Sequence, residues 1–417
     1  MANYLLEFII THYERKKKRS VVGFFNFQNL YKAYLDCRKH KRKTYHAAKF
    51  EINFESELLK LEEELQNHTY QPGRSICFVI EKPSLREVFA ATFRDRVVHH
   101  LIYNFLEPIF EPKFINQSYA CRENKGTHQS LIDLQKYLRQ TIQNDCREPY
   151  FIHLDIRGFF MSLKKDILLN LIKKQVKNPE FIWLTKIIIF NDPIENFTKK
   201  GDRSLFNQIP SHKSLFCVPK NQGLPIGNLT SQFFANIYLN ELDQFAKHSL
   251  KAKYYLRYVD DFLLLSCHKN ELLQWQNKII PFLEKRLKLE LNPQKQILGK
   301  TNQGIDWLGY IVKPNYILVR RRIIINFKEK LFLFNQKILD LNLEHPIRLW
   351  TPELFEDFQK ILSIINSYYG FFKHANTFRL RRHIYEKHFG ILKIYLIPVN
   401  ATYDYFIWSN NKPNSIL

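Results

Sequence analysis

The chain has 417 residues, 45% hydrophobic and 15% aromatic, which suffices for a real core over two or three packed subdomains and excludes a disordered polymer. The 63 Lys and Arg outnumber the 40 Asp and Glu, leaving a net charge of +23 that points to a polyanionic partner. No apolar run of about 18 residues could span a bilayer, so nucleic acid fits better than a membrane.

The N-terminus, Met1–Ile10, carries Glu7 and no small-residue cleavage site, and it does not read as a signal peptide. Two basic runs follow, Arg15-Lys16-Lys17-Lys18-Arg19 and Arg38-Lys39-His40-Lys41-Arg42-Lys43. Either could be a solvated face, but with this net charge phosphate contact is expected of both. Residues 54–67 are an amphipathic helix with Leu58, Leu59, Leu61 and Leu65 on its apolar side. A strand is expected over 74–81, and helices over Asp95–Phe110 and Ser130–Thr141. The neighbours His99 and His100 are placed at a helix surface facing two directions, which argues against joint metal binding.

Phe151-Ile152-His153-Leu154-Asp155 reads as a buried strand ending on a carboxylate. Helices over Asp166–Lys174 and Glu180–Phe190 precede a Pro-, Asn-, Ser- and Lys-rich insertion at 191–221. A long helix over Asn228–His248 is entered through Gly223-Leu224-Pro225-Ile226-Gly227. Leu272–Leu287 reads as helix, Gly304–Val312 and Tyr316–Arg320 as strands, and the rest from Ile323 as mostly helical and basic. Six scattered cysteines form no C-x-x-C pair, so free thiols in a reducing cytoplasm are expected.

Tyr258-Val259-Asp260-Asp261, between the apolar runs Tyr254-Tyr255-Leu256 and Phe262-Leu263-Leu264-Leu265, predicts strand, tight turn, strand. Adjacent aspartates repel, and a divalent cation removes that cost. An isolated Asp-Asp pair would be read as a polar turn, but Asp155 ends another strand 105 residues earlier. Side-by-side strands would bring the three carboxylates together, which suits two metal ions about 3.5–4 Å apart and in-line phosphoryl displacement. Asp155 and Asp260 are the main candidate ligands, with Asp261 a less direct third.

Five stretches occur in the order of reverse transcriptase motifs, and the chain resembles that family over residues 25 to 390. They are Leu154-Asp155 through Phe160, Gln222 through Gln232, the Tyr-Val-Asp-Asp turn, Leu291-Asn292-Pro293-Gln294-Lys295, and Trp307-Leu308-Gly309-Tyr310. The resemblance implies an α+β right-hand polymerase fold with fingers, an antiparallel palm sheet with helices, and a helical thumb. It divides the chain into a basic segment 1–24, fingers 25–149, a palm 150–310 with its insertion, and a basic thumb and tail 311–417. It implies RNA-directed DNA synthesis from dNTPs, with a primer 3′-hydroxyl attacking and pyrophosphate leaving, at two Mg²⁺ ions (Mn²⁺ as the alternative) held by Asp155, Ile156, Asp260 and Asp261.

By the same resemblance Phe160 is the steric gate against a ribose 2′-OH, although 35 phenylalanines make a core role credible for any one of them. Lys82 and Arg86 match the fingers residues that grip the triphosphate. Gln222 matches the loop against which the nucleotide packs, and Lys295 the lysine that protonates pyrophosphate. Trp307, Leu308, Gly309 and Tyr310 match the primer grip, with a structural tryptophan as the alternative for Trp307. Arg379, Arg381 and Arg382 are expected to hold template–primer or a cognate RNA.

Ser231-Gln232, where most reverse transcriptases place Ser-Pro, is similar to diversity-generating retroelement enzymes and to bacterial unknown-group enzymes, several of which act in antiphage defence. Arg94 through His100 and Ser118 through Arg122 fit the same branch, and the insertion favours the defence group. The expected partners are template RNA, nascent DNA and a structured noncoding RNA, with a homo-oligomer or partner protein left open, in the cytoplasm and without a membrane. The alternatives are a diversity-generating enzyme and a catalytically idle RNA-binding scaffold.

Overall fold

The computed structural model describes residues 23–39, 41, 44–81, 84–143, 148–344 and 352–409. The basic run 15–19, three of the six residues of the run 38–43 (His40, Arg42 and Lys43), and Lys82 therefore lie outside the described residues.

The chain begins with helices α1 (Phe27–Arg38), α2 (Tyr45–Ile52) and α3 (Phe54–Gln66), followed by the hairpin β1 (Ser75–Ile80) and β2 (Arg86–Ala90). Helix α4 (Phe93–Phe110) starts where Thr92 accepts from the Asp95 amide, and Asn26 caps α1 in the same way. Next come α5 (Thr127–Gln143), strand β3 (Tyr150–Ile156), the short α6 (Phe159–Ser162), α7 (Lys165–Gln175) and α8 (Pro179–Phe190). Proline at the first position of α8 and the Asn178 side chain on the Phe181 amide fix that start.

The insertion carries strand β4 (Phe197–Lys199) and three short 3-10 turns, and it is packed against the body: β4 pairs in parallel with β1. Helix α9 (Leu229–Gln244) leads to β5 (Tyr254–Tyr258) and β6 (Asp261–Ser266), then to α10 (Lys269–Phe282) and β7 (Leu291–Lys300). A small sheet of β8 (Ile305–Trp307), β9 (Tyr310–Val312) and β10 (Ile317–Val319) precedes the long helices α11 (Arg321–Glu344) and α12 (Pro352–Phe372). Helix α13 (Phe378–His388), the turn α14 (Leu392–Tyr395) and the hairpin β11 (Leu396–Pro398) and β12 (Phe406–Trp408) follow.

The central sheet has the order β5-β6-β3-β7 and is antiparallel throughout. Strand alternation sends Ile152, Leu154, Ile156, Phe262 and Leu264 into a core shared with α1, α4 and α9. The opposite face sends Phe151, Leu263 and Leu265 into a second core with α5, Trp307 and the C-terminal helices. Asp155 shares the face of Phe151 and His153, at the end where β3 leaves the sheet.

Several expectations are corrected here. His99 is buried, its Nδ1 2.7 Å from the Thr230 hydroxyl, and burial pushes its imidazole down to about 3. Leu59 is exposed, because the apolar stripe of α3 runs through Leu58, Leu61 and Leu65. Cys37, Cys77, Cys121 and Cys217 are free thiols, but Cys267 is in a disulfide. Among the described residues no helix is long and apolar enough to cross a membrane.

Candidate active site

Strand register builds the site. Asp155 on β3 stands directly opposite Asp261 on β6, and the β5–β6 turn consists of Val259 and Asp260 between the paired Tyr258 and Asp261. Two-residue hairpins favour positive φ. Val259 sits at φ +55°, a strained conformation for a β-branched residue, which costs on the order of 1–3 kcal/mol.

A buried network holds that turn. The Arg257 guanidinium donates to the Val259 carbonyl at 3.0 Å and makes a two-pronged pair with Asp243, 2.7 Å from Nε to Oδ1 and 2.6 Å from Nη2 to Oδ2. Both side chains are fully buried. The Tyr255 hydroxyl adds a 2.8 Å bond to Asp243, and Arg257 Nη2 reaches the Ser118 hydroxyl at 3.0 Å. Sequence reasoning missed this network, although an arginine inside the apolar strand Tyr254–Tyr258 was the available signal, because such a charge demands a partner.

Asp155, Asp260 and Asp261 line one cavity of about 680 Å³, together with Arg86, Phe160 and Lys295. Asp155 is buried and accepts from Asn292 Nδ2 at 2.9 Å and Lys295 Nζ at 2.6 Å. Burial outweighs those bonds and lifts its carboxyl above the usual range. Asp260 rises to about 7, from burial first and then from the charges of Asp261 and Asp155. Asp261 moves the other way: burial pushes it up, but His153, with Nε2 3.4 Å from Oδ1, and the Lys295 ammonium hold it low. Burial works against the charge of Lys295, but its bond to Asp155 prevails and raises it.

Three carboxylates crowded enough to keep one protonated near neutrality fit a cation site. Among the described residues no three His, Cys, Asp or Glu side chains stand in a ready metal-ligating arrangement. At Asp155, Lys295 Nζ occupies Oδ2 and provides the positive charge, a place that a divalent ion would have to take over. Asp155, Asp260 and Asp261 are the donors that could hold such ions, and Ile156 lines the same cavity, its amide donating to the Asp260 carbonyl at 3.3 Å.

The remaining expected residues divide. Gln222 does not line this cavity: it donates to the Met161 carbonyl at 3.1 Å, contacts Lys164, and lines an adjoining cavity of about 420 Å³ that shares Gly158, Met161 and His212 with the first. Trp307 and Tyr310 are core residues. The Trp307 indole donates to Ser130 at 3.1 Å and packs edge-on against His153, while the Tyr310 hydroxyl donates to the Phe371 carbonyl at 2.8 Å. Leu308 and Gly309 form the turn between them, both at positive φ, and a Cβ on Gly309 would lie 2.9 Å from Ile323 Cδ1.

Arg381 corrects an expectation. It is buried and paired with Asp404, which takes it out of reach of a phosphate backbone, whereas Arg379 and Arg382 are exposed. Arg382 makes a surface pair with Glu386 at 2.7 Å. In the second basic run Arg38 pairs with Glu51, and Lys39 with Asp36.

Residues 80–312, more than half of the chain, match the family described as reverse transcriptase (RNA-dependent DNA polymerase). The chain belongs to this family. Its architecture is the right-hand polymerase fold, and the central sheet is the palm. The chain is 24% identical over 326 residues to the group II intron-encoded protein LtrA of Lactococcus lactis subsp. cremoris, covering 62% of this chain and 50% of that protein. It therefore spans about half the length of that relative. Protein YkfC of Escherichia coli (strain K12) is 25% identical over 288 residues, covering 61% of this chain and 70% of its own. Apo telomerase from Candida tropicalis overlays with a TM-score of 0.42 at 12% identity, over 60% of this chain and 56% of that chain.

Proposed function

We propose that the protein is an RNA-directed DNA polymerase that serves bacterial antiphage defence with a cognate structured noncoding RNA. The observation that carries the polymerase reading is the meeting of Asp155, Asp260 and Asp261 with Arg86, Phe160 and Lys295 around one cavity. In this reading 25–149 are the fingers, 150–310 the palm and 311–417 the thumb.

Asp155 and Asp260 would hold the divalent cations, with Asp261 and Ile156 beside them. Mg²⁺ held there would supply charge neutralisation at the attacking and leaving oxygens of the displacement. Arg86 meets the triphosphate, and Lys295, released from Asp155, stands ready to give its proton to the leaving pyrophosphate. The Leu308–Gly309 turn meets the primer while Trp307 and Tyr310 anchor it from the core.

Phe160, partly exposed in the cavity and edge-on to Phe159 with ring centroids 5.4 Å apart, packs beside the sugar. Phe160→Ala is expected to lower the ratio of kcat/KM for dNTP over rNTP by at least about tenfold. An unchanged ratio would make Phe160 a core residue.

The defence reading rests on the Ser231-Gln232 form and the insertion, and the alternative is a diversity-generating retroelement enzyme, which shares that Ser-Gln form. The purified protein is expected to carry one structured RNA, with affinity falling by a log–log slope of about −0.7 per neutralised single-strand phosphate. Replacing Arg379 and Arg382 by Gln flattens that slope by about 1.4. Arg381→Gln leaves the slope and lowers stability. Cells with the intact locus should resist some phages, and cells with Asp260→Ala should not. Equal protection by the mutant transfers the role to an RNA-binding scaffold. No protection from either, with templated substitutions in a neighbouring gene, transfers it to a diversity-generating enzyme.

A further inference from the structure

The insertion 191–221 forms one wall of the cavity. Buried Glu87, next to Arg86 on β2, accepts from the Ser214 hydroxyl at 3.0 Å and from the Leu215 amide. Leu215 is buried in a small core with Phe89 and Met161. The backbone after β3 and before α9 leaves room for the insertion: a Cβ on Gly158 would lie 2.6 Å from the His212 carbonyl oxygen, and one on Gly223 would lie 2.9 Å from Leu215 Cδ1. Both glycines have positive φ, so each is needed for conformation and for close approach.

This clamp puts Lys213 on the lining of the cavity that holds Asp155, Asp260 and Asp261. Lys295 is matched to Asp155, but Lys213 has no ion pair among the described residues. Arg86 is unmatched as well, and its buried Nε has no hydrogen-bond partner. The cavity thus sets carboxylates for cations against three basic groups without an ion pair among the described residues, Arg86, Arg157 and Lys213, the charge pattern of a metal-bound triphosphate.

We propose that the insertion completes the nucleotide site, with Lys213 contacting the terminal phosphates of the incoming dNTP alongside Arg86. This rests on the polymerase reading of the cavity. Glu87 is a positioning residue, which fixes through Ser214 and Leu215 the segment that carries Lys213. An ammonium on a flexible stem acts as a point charge, so arginine should replace it in part and glutamate should reverse it.

On a primed RNA template, Lys213→Ala is expected to raise KM for dTTP about tenfold, with most of the loss in kcat/KM carried by KM. Lys213→Arg should recover at least half of that loss on a logarithmic scale, and Lys213→Glu should exceed it. Glu87→Gln should raise KM in the wild-type background and add little to Lys213→Ala, because the two act through one contact. Thermal stabilisation by dTTP with Mg²⁺ gives a readout independent of turnover: Lys213→Glu should shift its midpoint to higher dTTP by about tenfold or more. A midpoint and KM unchanged in Lys213→Glu, while Arg86→Ala raises both, overturn this inference alone. A wild-type protein that neither incorporates nor is stabilised by dTTP overturns it together with the polymerase reading.

Discussion

Asp260→Ala is expected to cut dNTP incorporation by at least about a thousandfold, and Asp260→Asn to make the metal-free protein more stable above pH 7. Both effects come from one carboxylate. Its role as a cation ligand is worth several kcal/mol of charge stabilisation in the transition state, and each 1.36 kcal/mol is a factor of ten in rate. Without metal the same carboxylate is a liability, because burial, Asp261 and Asp155 lift it to about 7 from 3.8. A raised acid binds more protons folded than unfolded. Its stabilising protonation is therefore fully present below 3.8, declines as pH rises toward 7, and is lost above it. Removing the charge should then stabilise the metal-free fold by about 1–4 kcal/mol at pH 8 and by little near pH 4. Melting curves of wild type and Asp260→Asn at the two pH values test this, with Mg²⁺ expected to raise the melting temperature of wild type and to leave that of the variant nearly unchanged. Full synthesis by Asp260→Ala, or a stability difference that ignores pH, would remove Asp260 from the cation site.

The parts of the site that were legible in the sequence are those where hydrophobic pattern and chemistry coincide. Apolar runs on both sides of Val259-Asp260 gave the hairpin, and the run before Asp155 gave β3 with its carboxylate at the end. Strand β7 was not legible, because it carries Pro293 and exposes half of its side chains at the sheet edge, where no alternation is imposed. Strand β2 is only five residues long, and its Glu87 reads as a surface residue until Ser214 and Leu215 are seen to cover it. The long helices expected over 228–248 and 272–287 each end earlier, at Gln244 and Phe282, and continue as a single wide turn. Local composition cannot mark that change, since the same residues would extend an α-helix. The insertion was legible as a departure in composition but not as a wall of the cavity, because that depends on contacts with Gly158 and Gly223 distant in sequence.

The Arg257–Asp243 pair joins fold to chemistry, and Asp243→Ala is the variant that exposes the link. Removing the carboxylate leaves a fully buried guanidinium without its counter-charge, which typically costs about 3–5 kcal/mol. The same guanidinium holds the Val259 carbonyl, so the strained turn loses its clamp and Asp260 loses its fixed position. A lower denaturation midpoint is therefore expected together with a fall in incorporation among molecules that remain folded. The double variant Asp243→Leu, Arg257→Met separates the two effects. It removes both charges, and a buried pair replaced by apolar residues of similar size is often neutral in stability. Stability should return toward wild type, but incorporation should not, because no donor remains for the Val259 carbonyl. If Asp243→Ala melts within about 1 kcal/mol of wild type, the pair is not what fixes the turn. If the double variant regains both stability and activity, the hairpin holds its own geometry, and the strain at Val259 is absorbed by the strands on either side.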